Sequence, residues 1–204
     1  MFRFIILLSF FSFVACGGDS EATAEVVEET TLTPEVAMSK TLPQNVNQGT
    51  KLCEINGVAW AYTKASGIVS RHKNSGKRTA IITFKKKLEK GSESIQLYYD
   101  GDSFELEKVT AQLKLAKNDG DRMTGFFSFD PNLRAKQPDA QLSGTLDLSD
   151  PSTAAGTAEA TDVNISYEKN LLANPEDAVI NITGLTFSDV GYSDLNAVKK
   201  QLNM

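Results

Sequence analysis

Large apolar side chains recur at every second position over most of this chain. Val58, Trp60 and Tyr62 alternate with Gly57, Ala59 and Ala61. Ala80, Ile82 and Phe84 form one face of the next apolar run, and Ile95, Leu97 and Tyr99 form another. Met123, Gly125, Phe127 and Phe129 follow, then Leu142, Gly144, Leu146 and Leu148, then Val163, Ile165 and Tyr167. A period of two with one apolar face predicts half-buried antiparallel strands. Turn sequences separate the runs: Asn74-Ser75-Gly76, Asp100-Gly101-Asp102, Asn118-Asp119-Gly120-Asp121, Asp130-Pro131-Asn132 and Asp150-Pro151-Ser152. Asp-Gly between alternating runs marks a hairpin. No proline falls inside a proposed strand, as a sheet requires.

Three stretches are less regular. Phe104–Lys117 carries Leu106, Val109, Leu113 and Leu115 between two turn signals, which predicts one long or bulged strand. In Ala178–Phe187 the apolar parity slips at Gly184, the mark of a bulge. The tail from Ser193 to Leu202 has a capping serine and then Leu195, Val198 and Leu202 at helical spacing, so a short terminal helix is predicted. Strands never alternate with helical patterns, which excludes a parallel α/β fold. The expected fold is all-β: an antiparallel β-sandwich of about 8–10 strands over about 140 residues, with a lipocalin-like barrel as the alternative of identical alternation. No internal repeat is present.

The N-terminus follows a different pattern. After Arg3, the eleven residues from Phe4 to Val14 are almost all apolar, and Ala15-Cys16 follows. A positive charge, a short apolar core and a small residue make the layout of a secretory signal. Eleven residues make about 16 Å of helix, roughly half a bilayer core, so the span predicts a cleaved signal and not a permanent anchor. Phe13-Val14-Ala15-Cys16 resembles the lipobox of bacterial lipoproteins, which implies cleavage after Ala15 and lipidation of Cys16. The alternative is a soluble secreted protein with a chance cysteine at its cleavage site. The two or three acyl chains of a mature lipoprotein anchor stably, where one would hold weakly.

From Asp19 to Glu35 there are six acidic residues and no basic one, among Thr, Ala, Ser and Pro. Low hydrophobicity with charge of one sign predicts a disordered tether. As a flexible coil, residues 17–48 would span about 30 Å. The acidic start after Gly17-Gly18 resembles that of many Bacteroidota lipoproteins. The expected organisation is therefore a signal over 1–15, a lipidated cysteine and tether over 16–48, an all-β domain over 49–190, and a short helix or disordered tail over 191–204.

Charge sharpens this picture. The whole chain carries −5, which excludes a globally basic nucleic-acid binder. Yet Lys64–Lys90 holds nine bases against one acid, while residues 130–204 hold eleven acids against five bases. One hairpin, with Arg71, Lys73, Lys77, Arg78, Lys85, Lys86 and Lys87, is thus expected to be cationic on an acidic body. Such a patch suits an anionic lipid surface, lipopolysaccharide phosphates or an acidic glycan. The plainer reading, edge lysines that block aggregation, carries more weight at this level. Nucleic acid is a poor target, since the chain is exported and lacks interleaved aromatics for base stacking.

Other chemistry is sparse. His72 is the only histidine and sits between Arg71 and Lys73, cations that disfavour the imidazolium a general base must form. It is expected in a polar loop. With Cys16 lipidated, Cys53 is left without a disulfide partner, and its apolar neighbours Leu52 and Ile55 predict a buried thiol. Asp100/Asp102 and Asp119/Asp121 lack the ligand spacing of an EF-hand and fit ordinary turn chemistry. Two cysteines and one histidine are too few for a zinc cluster. No metal or cofactor is expected.

Ile55-Asn56-Gly57-Val58-Ala59-Trp60, with a closing segment Ile182-Thr183-Gly184-Leu185-Thr186-Phe187, resembles single-β-domain lipoproteins of Bacteroidota over roughly residues 50–190. The resemblance implies a β domain and assigns no activity or functional residue. Trp60 is expected as a core anchor. The functional expectation is a lipid-anchored envelope protein, most readily of the outer membrane, with a non-catalytic β domain for binding or assembly. A carrier holding an apolar molecule inside a barrel is the alternative, and an envelope hydrolase is the weaker one.

Overall fold

Residues 49–196 are described by a computed structural model. The signal, Cys16, the tether and most of the predicted terminal helix lie outside the described residues. The alternating segments form strands: β1 (Thr50–Ile55), β2 (Val58–Tyr62), β3 (Lys64–Arg71), β4 (Arg78–Lys87), β5 (Ser92–Asp100), β6 (Leu106–Ala116), β7 (Arg122–Phe129), β8 (Gln141–Ser143), β9 (Leu146–Asp147), β10 (Thr153–Asn164) and β11 (Val179–Asp194). Three short 3-10 turns, over Pro131–Leu133, Lys169–Leu171 and Pro175–Ala178, punctuate the second half.

The strands make a sandwich whose two layers share one strand. In the first layer β2, β1, β11 and β10 lie side by side, and β8 and β9 pair with the far edge of β10. In the second, β3, β4, β5, β6 and β7 are joined in order by antiparallel ladders. Residues Tyr192–Asp194 of β11 cross over and pair in parallel with Gly67–Val69 of β3. The eleven strands are therefore one mixed sheet folded upon itself. Single bridges, Phe127 with Ile165 and Glu105 with Thr145, link its remaining edges, but no continuous ladder closes a barrel.

The bend of β11 has a local cause. Its register with β10 slips at three places. Asp162, Gly184 and Asp189, with φ of 54°, 62° and 56°, mark the three slips. Each extra residue is a bulge that increases twist and bends its strand. The slip expected at Gly184 is one of them. At the other end of the first layer, Asn56 (φ 49°) and Gly57 (φ 77°) make the tight β1–β2 turn. The Asn56 amide donates to the Val179 carbonyl at 2.9 Å, and its oxygen accepts the Asn181 N–H at 2.7 Å. The turn is thereby stitched to β11.

Between the layers the space is filled by side chains. Ile82, Phe84, Ile95, Leu97, Tyr99 and Phe127 are fully buried from one layer, and Val163, Ile182, Leu185 and Phe187 pack from the other. The Phe187 ring meets Phe84 edge-on at 5.3 Å between centroids, geometry that aromatic pairs favour. Tyr99 reaches across the core and donates its hydroxyl to the Thr157 carbonyl at 2.8 Å, which satisfies the one polar atom it buries. Gly156 is required here. A Cβ at that position would lie 2.5 Å from the Thr145 carbonyl oxygen and 2.8 Å from the Phe187 ring.

Three expectations change in detail. The run Leu142–Leu148 is two strands, because at Gly144 the backbone turns to serve the other layer: Leu106 N–H donates to the Gly144 carbonyl, and Leu146 N–H to the Phe104 carbonyl. Ser193 lies within β11, and the Asp194 carboxylate accepts the Asn196 N–H at 2.9 Å. Tyr167 is exposed, because β10 ends at Asn164.

Two buried acids make the fold sensitive to alkali. Burial, reinforced by Glu54 beside it, pushes the Cys53 thiol up to about 12. Burial also lifts the Tyr99 phenol well above its usual value. Both stay protonated in the folded protein and ionise more readily in the unfolded chain, so the unfolded state binds fewer protons at high pH. Stability is expected to be level below about pH 9 and to fall progressively above it. Urea unfolding across this range checks the sign. Cys53→Ala is expected to flatten the first part of the decline; an unchanged alkaline limb would refute the shielding of the thiol.

Candidate functional site

Strand parity decides which of the clustered cations act together. In β4, Ala80, Ile82 and Phe84 point into the core, so Lys86 shares their face while Lys85 and Lys87 point outward. Cross-strand partners share a face. Lys64 of β3 stands opposite Lys85, Lys85 opposite Ser94, and Lys87 opposite Ser92. Farther along the outer face, Gln112 follows Ser94, and Lys114 stands opposite Thr124. Lys114 donates to the Thr124 hydroxyl at 2.6 Å, and the Arg122 guanidinium donates to the Lys114 carbonyl at 3.4 Å.

These residues surround the β4–β5 turn, where Leu88 N–H donates to the Gly91 carbonyl and Gly91 takes φ of 82°. A shallow cleft lies on each side of it. One, of about 500 Å³, is lined by Thr63, Lys64, Lys85, Lys87, Gly91 and Ser92. The other, of about 630 Å³, is lined by Leu88, Glu89, Lys90, Lys114, Asp121 and Arg122. Around the two clefts six cations face two carboxylates. Among the described residues, no carboxylate lies within ion-pairing distance of Lys64, Lys85 or Lys87. Lys64 and Lys85 are moreover like charges directly opposed, an arrangement that costs stability unless an anion relieves it.

The predicted cationic hairpin is thus divided between its two ends. Lys64 pairs with Lys85 at one end and Arg71 with Arg78 at the other, about 23 Å apart at strand rise. At the far end the cations meet acids. Arg71 pairs with Asp102 at 3.4 Å, Lys77 with Glu107 at 2.6 Å and Asp100 at 3.8 Å, and Arg78 with Asp194 at 3.3 Å. The Glu107 hydrogen bond raises the Lys77 ammonium above its ordinary value, and N–H bonds from Ser103 and Asp102 hold the Asp100 carboxyl below its own. Lys73 is exposed in the turn at this end. Cys16 lies outside the described residues.

Lys86 serves the interior. It pairs at 3.4 Å with Glu93, which is only 9% exposed on the inward face of β5. The other bonds to this carboxylate are neutral: Trp60 Nε1–H donates to one oxygen at 3.0 Å, and the Lys114 N–H donates to the other at 3.1 Å. Glu93 thus takes over where the β5–β6 ladder ends. Trp60 is the expected core anchor, its indole nitrogen satisfied. Beside it Ile55, Val58, Trp60, Leu113 and Leu115 line a cleft of about 340 Å³, with Val58 70% exposed.

Sequence reading of the hairpin alone missed Lys114, Arg122 and Glu93. Parity was the available signal: Leu113 and Leu115 face inward, so Lys114 must face out, and Glu93 shares its parity with Ile95. The turn readings hold. Asp100 accepts N–H bonds from Asp102 and Ser103, Asp119 accepts one from Asp121, and His72 accepts one from Ser75 within its loop.

Comparison with known proteins gives no match: no protein-family model fits the chain, and neither a curated protein nor a solved structure matches it significantly. Lysines on flexible stems present point charges and suit oxygen-rich anions of varied shape, in contrast to the bidentate fork of arginine.

Glu93→Leu would leave the Trp60 and Lys114 donors without their acceptor. It is expected to cost about 1.5–3 kcal/mol, the range for bonds to a charged partner. Lys87→Met should stay within about 0.5 kcal/mol of the parent, as an exposed substitution does. The urea midpoints of the two variants check the contrast, and equal midpoints would refute the structural role of Glu93.

Proposed function

We propose that this chain is a bacterial lipoprotein, anchored at Cys16 in the cell envelope, whose β domain is a non-catalytic binding module for anionic ligands. The outer membrane is its proposed site. The observation that carries the reading is the contrast between the two ends of one hairpin. Arg71, Lys77 and Arg78 are matched by carboxylates, whereas Lys64, Lys85 and Lys87 stand around a cleft without one. A lysine row that only blocked edge pairing has no need of β4, which is paired on both sides. The filled core favours recognition at the surface over carriage of an apolar molecule inside, since Phe84, Tyr99, Phe127 and Phe187 occupy the space a ligand would need.

Near an anionic surface each lysine contributes about 1 kcal/mol, so reversing three charges should weaken binding at least tenfold. The test uses the Cys16→Ser chain on phosphatidylglycerol vesicles at low salt. Lys64→Glu, Lys85→Glu and Lys87→Glu together are expected to abolish retention, while Lys73→Glu with Lys77→Glu leaves it largely intact. Equal loss from both sets would refute the assignment of the face. In cells, Cys16→Ser is expected to move the protein from the membrane to the soluble envelope fraction; continued membrane retention would overturn the anchor.

A further inference from the structure

We infer that the domain docks by its cationic end onto the anionic headgroups of the membrane that carries its own anchor. This rests on the lipoprotein reading above and adds a partner and an orientation to it. The first support is where the chain enters the domain. Thr50 pairs with Tyr62, and Gly49 lies so close to Tyr62 that a Cβ would come 2.5 Å from the Tyr62 carbonyl oxygen. The next residue, Thr63, donates its N–H to the Lys85 carbonyl at 2.8 Å, and its hydroxyl accepts the Lys87 N–H. The tether thus joins the β domain within a few residues of Lys64, Lys85 and Lys87. Any anchor upstream pulls on the cationic end.

The second support is charge asymmetry along the strands. Beyond Arg71 and Arg78 lie Asp100, Asp102, Glu107 and Asp194, which equal Arg71, Lys73, Lys77 and Arg78 in number. Glu89, Asp121 and Asp177 lie at the near end and reduce the positive charge of its six cleft-lining cations without cancelling it. A domain with this distribution turns its lysine end toward a negative surface and its neutralised end away. The third support is Val58, exposed beside a cleft that Lys86 and Lys114 also line. Glu93 and Asp177 line that cleft too, so Val58 adds an exposed apolar contact at this end and no further positive charge.

Magnitudes favour attachment in cis. A few lysines at a charged surface give an affinity on the order of millimolar at physiological salt, too weak there to hold a free protein, whereas low salt and excess vesicles make the same contact measurable. The tether that the composition of residues 17–48 predicts would supply an effective concentration that is also on the order of millimolar, enough to populate the docked state.

The test uses the full-length lipidated protein reconstituted in phosphatidylcholine liposomes, with or without phosphatidylglycerol. A brief pulse of amine acetylation is then read residue by residue by mass spectrometry. Several-fold protection of Lys64, Lys85, Lys87 and Lys114 is expected on the anionic liposomes at low salt, with Lys73 at the far end unchanged and the protection lost at high salt. Equal reactivity on both liposomes would overturn the docking while leaving the anchor intact. Protection by an added acidic glycan on neutral liposomes, without protection by phosphatidylglycerol, would overturn it in favour of a soluble ligand. A chain without acyl mass on Cys16 that fails to enter liposomes would overturn the anchor and the docking with it.

Discussion

β11 takes part in both layers of the sandwich, and its sixteen residues can do so only because the chain carries extra residues at Gly184 and Asp189. Each bulge adds twist, and the accumulated bend delivers Tyr192–Asp194 to β3 in the facing layer. Much of the architecture follows from that bend. β1 and β10 flank the first part of β11, so their inner faces stand opposite β4 and β5. Phe187, just before the second bulge, reaches Phe84 and Tyr99, and Tyr99 in turn finds the Thr157 carbonyl. A straight β11 would leave the layers without their shared edge and Phe187 without its partners.

The layering also sorts the charges. In a strand with one face buried, successive side chains take opposite fates. Lys85, Lys86 and Lys87 are consecutive, yet two stand in solvent and the third is drawn to the buried carboxylate of Glu93. The exposed pairs at the far end contribute little to stability individually. Their effect is on the field, because acids beside Arg71, Lys77 and Arg78 cancel the charge that those residues would otherwise display. What positive potential the domain shows comes from the end where the chain enters. Charge and attachment point coincide there because β2 runs into β3 with a single residue between them.

Several elements were readable before any coordinates. Strands rich in large residues, such as β4, β5 and β7, show sharp alternation because burial on one face selects Ile, Leu and Phe. β10 gives almost no such signal. Its inward positions include Ala154, Ala158 and Ala160, small residues chosen because Phe187 and Tyr99 fill the space above them. β3 is equally quiet, since Gly67 must admit the close approach of Tyr192. In both strands the facing side chains set the composition, and those come from distant parts of the chain. The site was half legible for the same reason: Lys85 and Lys87 were visible as a charge run, while Lys114 and Arg122 join them only through two further ladders.

By itself the sequence determined the all-β class, most hairpin turns, the buried state of Cys53 and Trp60, and a local surplus of cations. Each depends on neighbours a few residues away, through side-chain alternation, turn stereochemistry or composition. The tertiary structure alone decided that the sheet folds into two layers sharing β11 and leaves a barrel unclosed. It also decided which cations are neutralised and that Glu93 anchors Trp60. Those outcomes depend on register between strands that are distant in sequence, where a shift of one residue exchanges the buried face for the exposed one.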